Sequence, residues 1–450
     1  MHMIRFADAS LDALIRPEGH ACACGRCHSM PMDYLRVGPG AVREIPAALA
    51  AMGCRRPFIV CDVNTKAAAW PRVAPVLAAA GIEYTLYCFR QTHLEPDEYA
   101  TGSLLLAWDG RCDCVMGIGS GVINDCCKVL RYCARVKQMI VGTAPSMDGY
   151  ASNTAAMIHD HAKMSVFTGY PDAILCDIDI MKDAPLRMLQ AGLGDMIAKY
   201  TALCEWRISA LVTGEYYCGN IAEMTRAATR RVVENAAGLK DRDPAAVQAV
   251  TEGLIIAGIA MSYAGVPRPA AGQEHFFSHM WDMFDLNRGI PCDLHGIHVG
   301  VGTLLTLELY DLLRHTRPDR EKALRFVAAF RDADWQTMIR RIYGPSAEDV
   351  IEKEHAQFHK NDPAAHRQRL ERICAHWEDL LTIMAEELPP HSRLLALMQA
   401  AGMPTAPAAL GFDHRDVQDS LAGSRDNRNK YLLSSLLWDM GMLYEVEMQE

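Results

Sequence analysis

"CDCVMGIGSGVINDCCKVL", Cys112 to Leu130, decides how the first part of this chain reads. It opens as a short apolar run of strand type, passes through Gly117, Gly119 and Gly121, and continues with helical spacing. Glycines at such a turn let the backbone approach a ligand closely. The helix beyond offers unpaired N–H groups and the positive end of its dipole, which suits a pyrophosphate. The spacing is G-x-G-x-G and not the dinucleotide fingerprint G-x-G-x-x-G. Two readings therefore stand at this point: a dinucleotide cradle, or a tight strand-to-helix turn.

The surrounding sequence repeats the alternation. "PFIVCD" (57–62), "IEYTLYCF" (82–89), "QMIVGTAP" (138–145) and "AILCDI" (173–178) read as strands. "VREIPAALAAMG" (42–53), "AAAWPRVAPVLAAAG" (67–81) and "EYATGSLLLAWDG" (98–110) read as helices. A β-hairpin is placed at "MIHD" (157–160) and "KMSVFT" (163–168). Strands alternating with helices from about Val37 to Ile180 predict a Rossmann-like parallel sheet covered on both faces. Beyond Ala184 the pattern is helical, as in "GDMIAKYTALCEWRISALVTG" (194–214), "EGLIIAGIAMSYAGV" (252–266) and "HRQRLERICAHWEDLLTIMAEEL" (366–388). The expected organisation is an α/β amino-terminal domain, residues 1–184, and an all-α carboxy-terminal domain, residues 185–450.

Composition bounds the partners. The chain has 450 residues, half of them hydrophobic, which suits two cores. A net charge of -10 argues against a nucleic-acid partner. The amino terminus lacks the apolar stretch of a signal peptide. The most apolar run, Gly253 to Val266, reads as too short to cross a bilayer. A cytoplasmic protein with reduced thiols, and no membrane insertion, is expected from this. Sixteen cysteines are scattered along the chain, with one cluster, "HACACGRCH", from His20 to His28. Cys22, Cys24, Cys27 and His28 are zinc-type ligands, but a structural site usually draws pairs from two separated knuckles. The cluster is read as a loop with free thiols.

Four further stretches carry chemistry. "TAPSMDGYAS" (143–152) holds Thr143, Ser146, Tyr150, Ser152 and Asp148 at the carboxyl end of a strand, where doubly wound folds bind ligands. "GLGDMIAKY" (192–200) carries Asp195, a ligand or a helix cap. "GQEHFFSHM" (272–280) places His275 and His279 four apart, on one helix face. It is not the zinc motif H-E-x-x-H, because Phe276 stands at the glutamate position. "DLHGIHVGVG" (293–302) carries His295, with His298 three later. Each histidine alone reads more readily as a hydrogen-bonded core residue than as a ligand. Asp195, His275 and His295 together supply one carboxylate and two imidazoles, a set that suits a divalent metal with open positions. A metal and a dinucleotide imply hydride transfer at a carbon bearing oxygen. Asp62, ending "PFIVCD", is placed to accept from an adenosine ribose, or to cap the next turn.

The motifs "GIGSGVIND", "TAPSMDGYAS", "GLGDMIAKYTALCEW", "RPAAGQEHFFSHMWDM" and "LHGIHVGVGTLL" occur together, with "SRDNRNKYLLSSLLWDMG" near the end. In these the chain resembles the sn-glycerol-1-phosphate dehydrogenase family, in its bacterial AraM-like branch, over roughly Val37 to Leu443. That family lies with glycerol dehydrogenases, iron-type alcohol dehydrogenases and dehydroquinate synthases. The resemblance implies a dehydroquinate synthase-like architecture, NAD(P)H, and one divalent metal ion, zinc or nickel. Gly119, Ser120, Gly121, Val122, Ile123, Thr143, Ser146 and Ser152 would hold the dinucleotide. Asp148 and His279 would contact substrate, His279 also relaying a proton. Asp195, His275 and His295 would bind the metal, Asp195 also lying near substrate. The implied reaction interconverts dihydroxyacetone phosphate and sn-glycerol 1-phosphate. Arg268 and Lys199 are placed to meet the substrate phosphate, or are solvated surface charges. The rival readings are another metal-dependent polyol or polyol-phosphate dehydrogenase, or a relative that binds nucleotide without catalysis. A homo-oligomer, dimer or larger, is expected.

Overall fold

The structure, a computed structural model, describes residues 4–159 and 162–448. Two short strands come first, β1 (His20–Ala21) and β2 (Cys27–His28), paired antiparallel. Then follow β3 (Tyr34–Gly38), β4 (Pro57–Asp62), β5 (Thr85–Phe89), β6 (Cys114–Gly119) and β7 (Lys137–Gly142). An antiparallel hairpin, β8 (Thr154–His159) with β9 (Ala162–Phe167), precedes β10 (Ala173–Asp177). The hairpin lies where it was expected, and residues 160 and 161, which include the last residue of "MIHD", lie outside the described residues.

β3, β10, β7, β6, β4 and β5 form, in that order, one six-stranded sheet in which every pairing is parallel. Five of these strands were legible as apolar runs. β3, "YLRVG", was not, because it is a short edge strand with an exposed Arg36. Alternation along each strand sends side chains to opposite faces. On β4, Ile59 and Cys61 pack with Ala69, Val73 and Leu77 of the Val63–Ala79 helix. Phe58 and Val60 point the other way, into a core with Ile123, Cys126, Cys127 and Leu130 of the Gly121–Ala134 helix. Burying each such aliphatic side chain stabilises the fold by about 1.5–3 kcal/mol.

This division has a topological consequence. β4 and β6 are neighbours, yet the helices that follow them lie on opposite faces. The crevice between their carboxyl ends is therefore the switch point where doubly wound sheets bind ligands. Asp62 ends one strand and Gly119 the other.

The chain falls into two compact units, but not by a single cut at residue 184. One unit contains the chain up to Met196 together with Cys218–Pro269. The other contains Ile197–Tyr217 and the chain from Ala270 onward. The Gly219–Asn235 and Pro244–Ala264 helices, expected in the helical domain, thus pack in the unit of the sheet. The reason is close packing: a Cβ added to Gly258 would sit 2.7 Å from Cβ of Ala151.

The apolar run Gly253–Val266 belongs to a longer helix than expected. Asp243 caps it by accepting from the N–H groups of Ala245 and Ala246, and it runs 21 residues from Pro244. Its length and composition suffice to cross a membrane, as do those of the His295–Arg314 helix. That corrects the expectation from length. Burial accounts for its apolarity: 67% of its apolar window, and 83% of the other's, is inside the protein.

The second unit has no strands among its described residues. The helical stretch 366–388 is two helices, Pro363–Ala375 and Trp377–Glu387, broken at His376. The Gln273–Arg288 and His295–Arg314 helices cross closely because Gly302 lacks a side chain; a Cβ there would sit 2.7 Å from the Glu274 carbonyl oxygen.

Candidate functional site

The sheet unit builds its part of the site at the ends of β6 and β7. The Thr143 N–H donates to the Gly119 carbonyl at 3.0 Å, which locks the two strand ends together. A Cβ on Gly119 would lie 2.5 Å from Cβ of Ile123, so only glycine lets the helix start this close to the strand. The Ser120 side chain does not cap that helix. Its hydroxyl instead meets the Ser146 hydroxyl at 2.6 Å and donates to the Ala144 carbonyl at 3.3 Å. The first N–H groups of a 14-residue helix, from Gly121, therefore receive no cap from it. This fits a bound pyrophosphate, whose oxygens would take those donors. The glycines, Ser120, Val122, Ile123, Thr143 and Ser146 thus gather at one end of the sheet.

Asp62 borders the same switch point, and its carboxylate works locally. Oδ1 accepts from the Thr65 N–H at 2.8 Å, and the Thr65 hydroxyl accepts from the Asp62 N–H at 3.0 Å, a reciprocal cap.

Lys128, which sequence reasoning missed, staples the following loop. Its ammonium is buried and donates to the Gly149 carbonyl (2.7 Å), the Ser152 hydroxyl (2.9 Å) and the Thr154 carbonyl (2.8 Å). Burial pushes its pKa down, and burial pushes that of neighbouring Asp125 up. The Ser152 hydroxyl is taken up in this network. The signal in the sequence was a lysine on the apolar face of a helix, at Cys126-Cys127-Lys128.

The same loop meets Asp195. The buried Asp195 accepts from the Asp148 N–H at 2.9 Å through Oδ2. The Leu186–Ile197 helix approaches this loop at Gly192, where a Cβ would sit 2.0 Å from the Pro145 carbonyl oxygen. Asp195 lies within that helix and not before it, so it is not an N-cap.

The helical unit holds the histidines. His275 is buried, and its Nδ1 lies 2.8 Å from Oε1 of Glu274. Glu274, also missed, is buried; its Oε2 accepts from the Thr201 hydroxyl at 2.7 Å and its Oε1 from the Gly272 N–H at 2.5 Å. Burial works against the charge of Glu274, but His275 and these donors hold its pKa below the ordinary value. A carboxylate on Nδ1 fixes the proton there and makes Nε2 the nitrogen that presents a lone pair. His295 is similar: its Nδ1 lies 3.2 Å from the buried Ser278 hydroxyl. The rings of His275 and His295 lie 5.2 Å apart between centroids. His279 stacks on His295 at 6.0 Å, and burial, then the nearby His295, keep its pKa well below the ordinary value. His298 is a core residue: its Nδ1 meets Asp282 at 3.1 Å, and its ring packs against Trp281 and Phe412.

Arg268 and Lys199 are buried, which corrects the surface-charge reading of both. Burying a cation is costly unless an anion or polar groups meet it.

Fold and site residues define a class first. Residues 36–185 match the family described as iron-containing alcohol dehydrogenase. The fold is shared with a probable glycerol dehydrogenase from Sinorhizobium meliloti, at 15% identity and a TM-score of 0.56, over 92% of this chain and 97% of that one. It is shared also with the maleylacetate reductase of a Rhizobium strain, at 13% identity and a TM-score of 0.58, over 94% and 97% of the two chains.

Closer relatives narrow this. A glycerol-1-phosphate dehydrogenase (NAD(P)+) of Halalkalibacterium halodurans is 34% identical over 293 residues, 64% of this chain and 73% of the relative. Its counterpart in Methanosarcina acetivorans is 35% identical over 289 residues, 62% and 77% of the two chains. That of Geobacillus stearothermophilus is 27% identical over 405 residues, 89% and 91%. The chain belongs to the glycerol-1-phosphate dehydrogenase family.

Proposed function

We propose that this protein is an NAD(P)-dependent oxidoreductase that interconverts dihydroxyacetone phosphate and sn-glycerol 1-phosphate with the help of one divalent metal ion. Its relatives carry that dehydrogenase name. The observation that carries the metal part is the pair of imidazoles, His275 and His295, each held at Nδ1 by a buried partner. Oriented imidazoles of this kind are built to ligate through Nε2. Asp195 supplies the carboxylate of the ligand set, which suits zinc or nickel. When bound, the ion supplies a Lewis acid at the reacting oxygen, worth several kcal/mol.

The chain's own residues do the rest. The amino-terminal amides of the Gly121–Ala134 helix hold the pyrophosphate, with Ser120, Thr143, Ser146 and Ser152 around it. Asp62 meets the adenosine ribose. Asp148 orients the substrate, while Arg268 and Lys199 neutralise its phosphate. His279, kept neutral by burial, takes or gives the proton of the substrate oxygen through water. In this reading the unit of the sheet carries the dinucleotide, Asp148 and Asp195, and the helical unit carries the histidines. The enzyme works in the cytoplasm as a homo-oligomer, in keeping with sixteen cysteines that form no disulfide among the described residues.

A steady-state assay tests this. Turnover of glycerol 1-phosphate with NAD+ or NADP+, and little with free glycerol, is expected. Faster oxidation of glycerol would make it a polyol dehydrogenase, and oxidation of neither would leave only a nucleotide-binding relative.

A further inference from the structure

We infer that the protein holds a second metal ion, a structural zinc bound by Cys22, Cys24, His28 and Cys218. The set differs from the cluster visible in the sequence. Cys27 leaves it, and Cys218, 190 residues beyond His28, enters. The four ligand atoms all lie within 4.8 Å of one another.

The hairpin makes the selection. β1 and β2 pair His20 with His28 and Ala21 with Cys27. Between them Gly25, at φ +84°, closes the turn, and its N–H donates to the Cys22 carbonyl at 3.0 Å. Neighbours on a strand face opposite ways. His28 therefore turns inward and is buried, while Cys27 turns outward and is exposed, its Sγ lying 3.9 Å from the Glu18 carbonyl. Cys218 is buried at the residue before the Gly219–Asn235 helix.

The distances fit a tetrahedron around zinc. With Zn–S near 2.3 Å and Zn–N near 2.0–2.1 Å, tetrahedral edges come to about 3.8 Å for S···S and about 3.6 Å for S···N. The Cys22 and Cys218 sulfurs are 3.7 Å apart. Nε2 of His28 lies 3.2 Å from Sγ of Cys24 and 3.8 Å from Sγ of Cys218. A sulfur separation of 3.7 Å is far beyond a disulfide bond, which measures about 2.05 Å.

The surroundings orient the histidine. Its Nδ1 lies 2.7 Å from the Tyr263 carbonyl, which can only accept, so the proton sits on Nδ1 and the Nε2 lone pair faces the three sulfurs. The ring stacks on Tyr263 at 5.6 Å and meets the edge of Phe6 at 5.7 Å. Asn220 places its Nδ2 3.9 Å from Sγ of Cys22 and also ties the backbone of Ile4 and Phe6. Three thiolates and a neutral imidazole complete four-coordination, with no position open for substrate, so the site is structural. Binding ionises three thiols and releases their protons to solvent. The ion pins the amino-terminal segment to the Gly219–Asn235 and Pro244–Ala264 helices.

The test uses the full chain purified with zinc and freed of loose metal by gel filtration. Metal per chain is measured for wild type and for C22S, C24S, C218S and C27S, and for H275A, which lies outside this set. C22S, C24S and C218S should each lose one equivalent of zinc relative to wild type, while C27S and H275A should keep the equivalent bound here. Should C218S not fold, C24S and C218H serve, and C218H should keep the metal. Cobalt bound in place of zinc should give the strong thiolate charge-transfer absorption of a tetrahedral site in wild type and C27S, and lose it in C24S. Equal zinc loss in C27S and C24S would overturn the proposal. So would wild type without thiolate-bound cobalt, or a peptide map of protein purified without reductant showing Cys22 joined to Cys218 in the zinc-replete chain.

Discussion

His275 and His279 sit four residues apart on one helix and have different surroundings. His275 has a buried carboxylate on Nδ1, while His279 stacks on His295 and is kept neutral by burial. Different chemistry follows. Chelation should abolish turnover, and zinc or nickel should restore it. H275A and H295A should each lose tightly bound catalytic metal, whereas H279A should keep it and lose rate on the order of a hundredfold, as for a lost acid–base group. Metal analysis beside kcat separates the two, and stoichiometric metal with full rate in both H275A and H295A would sink the ligand assignment. In the proposed ligand set, Glu274 would act through His275, whose Nδ1 it meets. E274Q should weaken catalytic metal binding by about 10–100-fold, the range for an outer partner of a ligating histidine. Titration with a competing chelator reads this, and unchanged affinity would make Glu274 merely a buried packing residue.

At the scale of elements, small residues decide which side chains can meet. Gly192 lets the Leu186–Ile197 helix rest against the Pro145 carbonyl, and this contact brings Asp195 to the Asp148 N–H. In G192A the added Cβ has no room at 2.0 Å from backbone oxygen. Overpacking of this kind costs about 1–3 kcal/mol. The variant should melt lower and lose kcat/KM together, because the shifted helix carries Asp195. A G192A protein with wild-type Tm and kcat/KM would show that the contact yields at no cost. These elements were legible to different degrees. Strands buried on both faces announced themselves as apolar runs, "PFIVCD" and "CDCVMGIG" among them. The edge strand "YLRVG" has too little apolar contrast to stand out. The break at His376 lay inside an unbroken helical pattern.

At the scale of the molecule, the order of strands sets where the switch point lies, and with it the proposed cofactor position. The switch point between β4 and β6 puts Asp62 beside the glycine turn. In the proposed reading, the carboxylate that caps Thr65 through Oδ1 would also accept from a ribose and repel a 2′-phosphate. NADH should be preferred over NADPH in kcat/KM, and D62G should shift the ratio toward NADPH. Wild-type preference for NADPH would show that the adenosine end is held elsewhere.

The sequence alone determined the alternation of strand and helix, the glycine turn after β6, and the candidate set Asp195, His275 and His295. The first two are written in residue type and short-range spacing, which period and propensity report directly, while the third was an expectation from residue type and family resemblance. Only the tertiary structure decided what depends on contacts far apart in the chain. It set Lys128 against the 149–154 loop, brought two helices from beyond residue 217 into the sheet unit, and exchanged Cys27 for Cys218 in the cysteine cluster. Burial, not length, explains the apolar Pro244–Ala264 helix. The physical reason is the same throughout: a side chain's neighbours across the fold are chosen by packing the whole chain into one core per unit, and no local window of sequence contains that information.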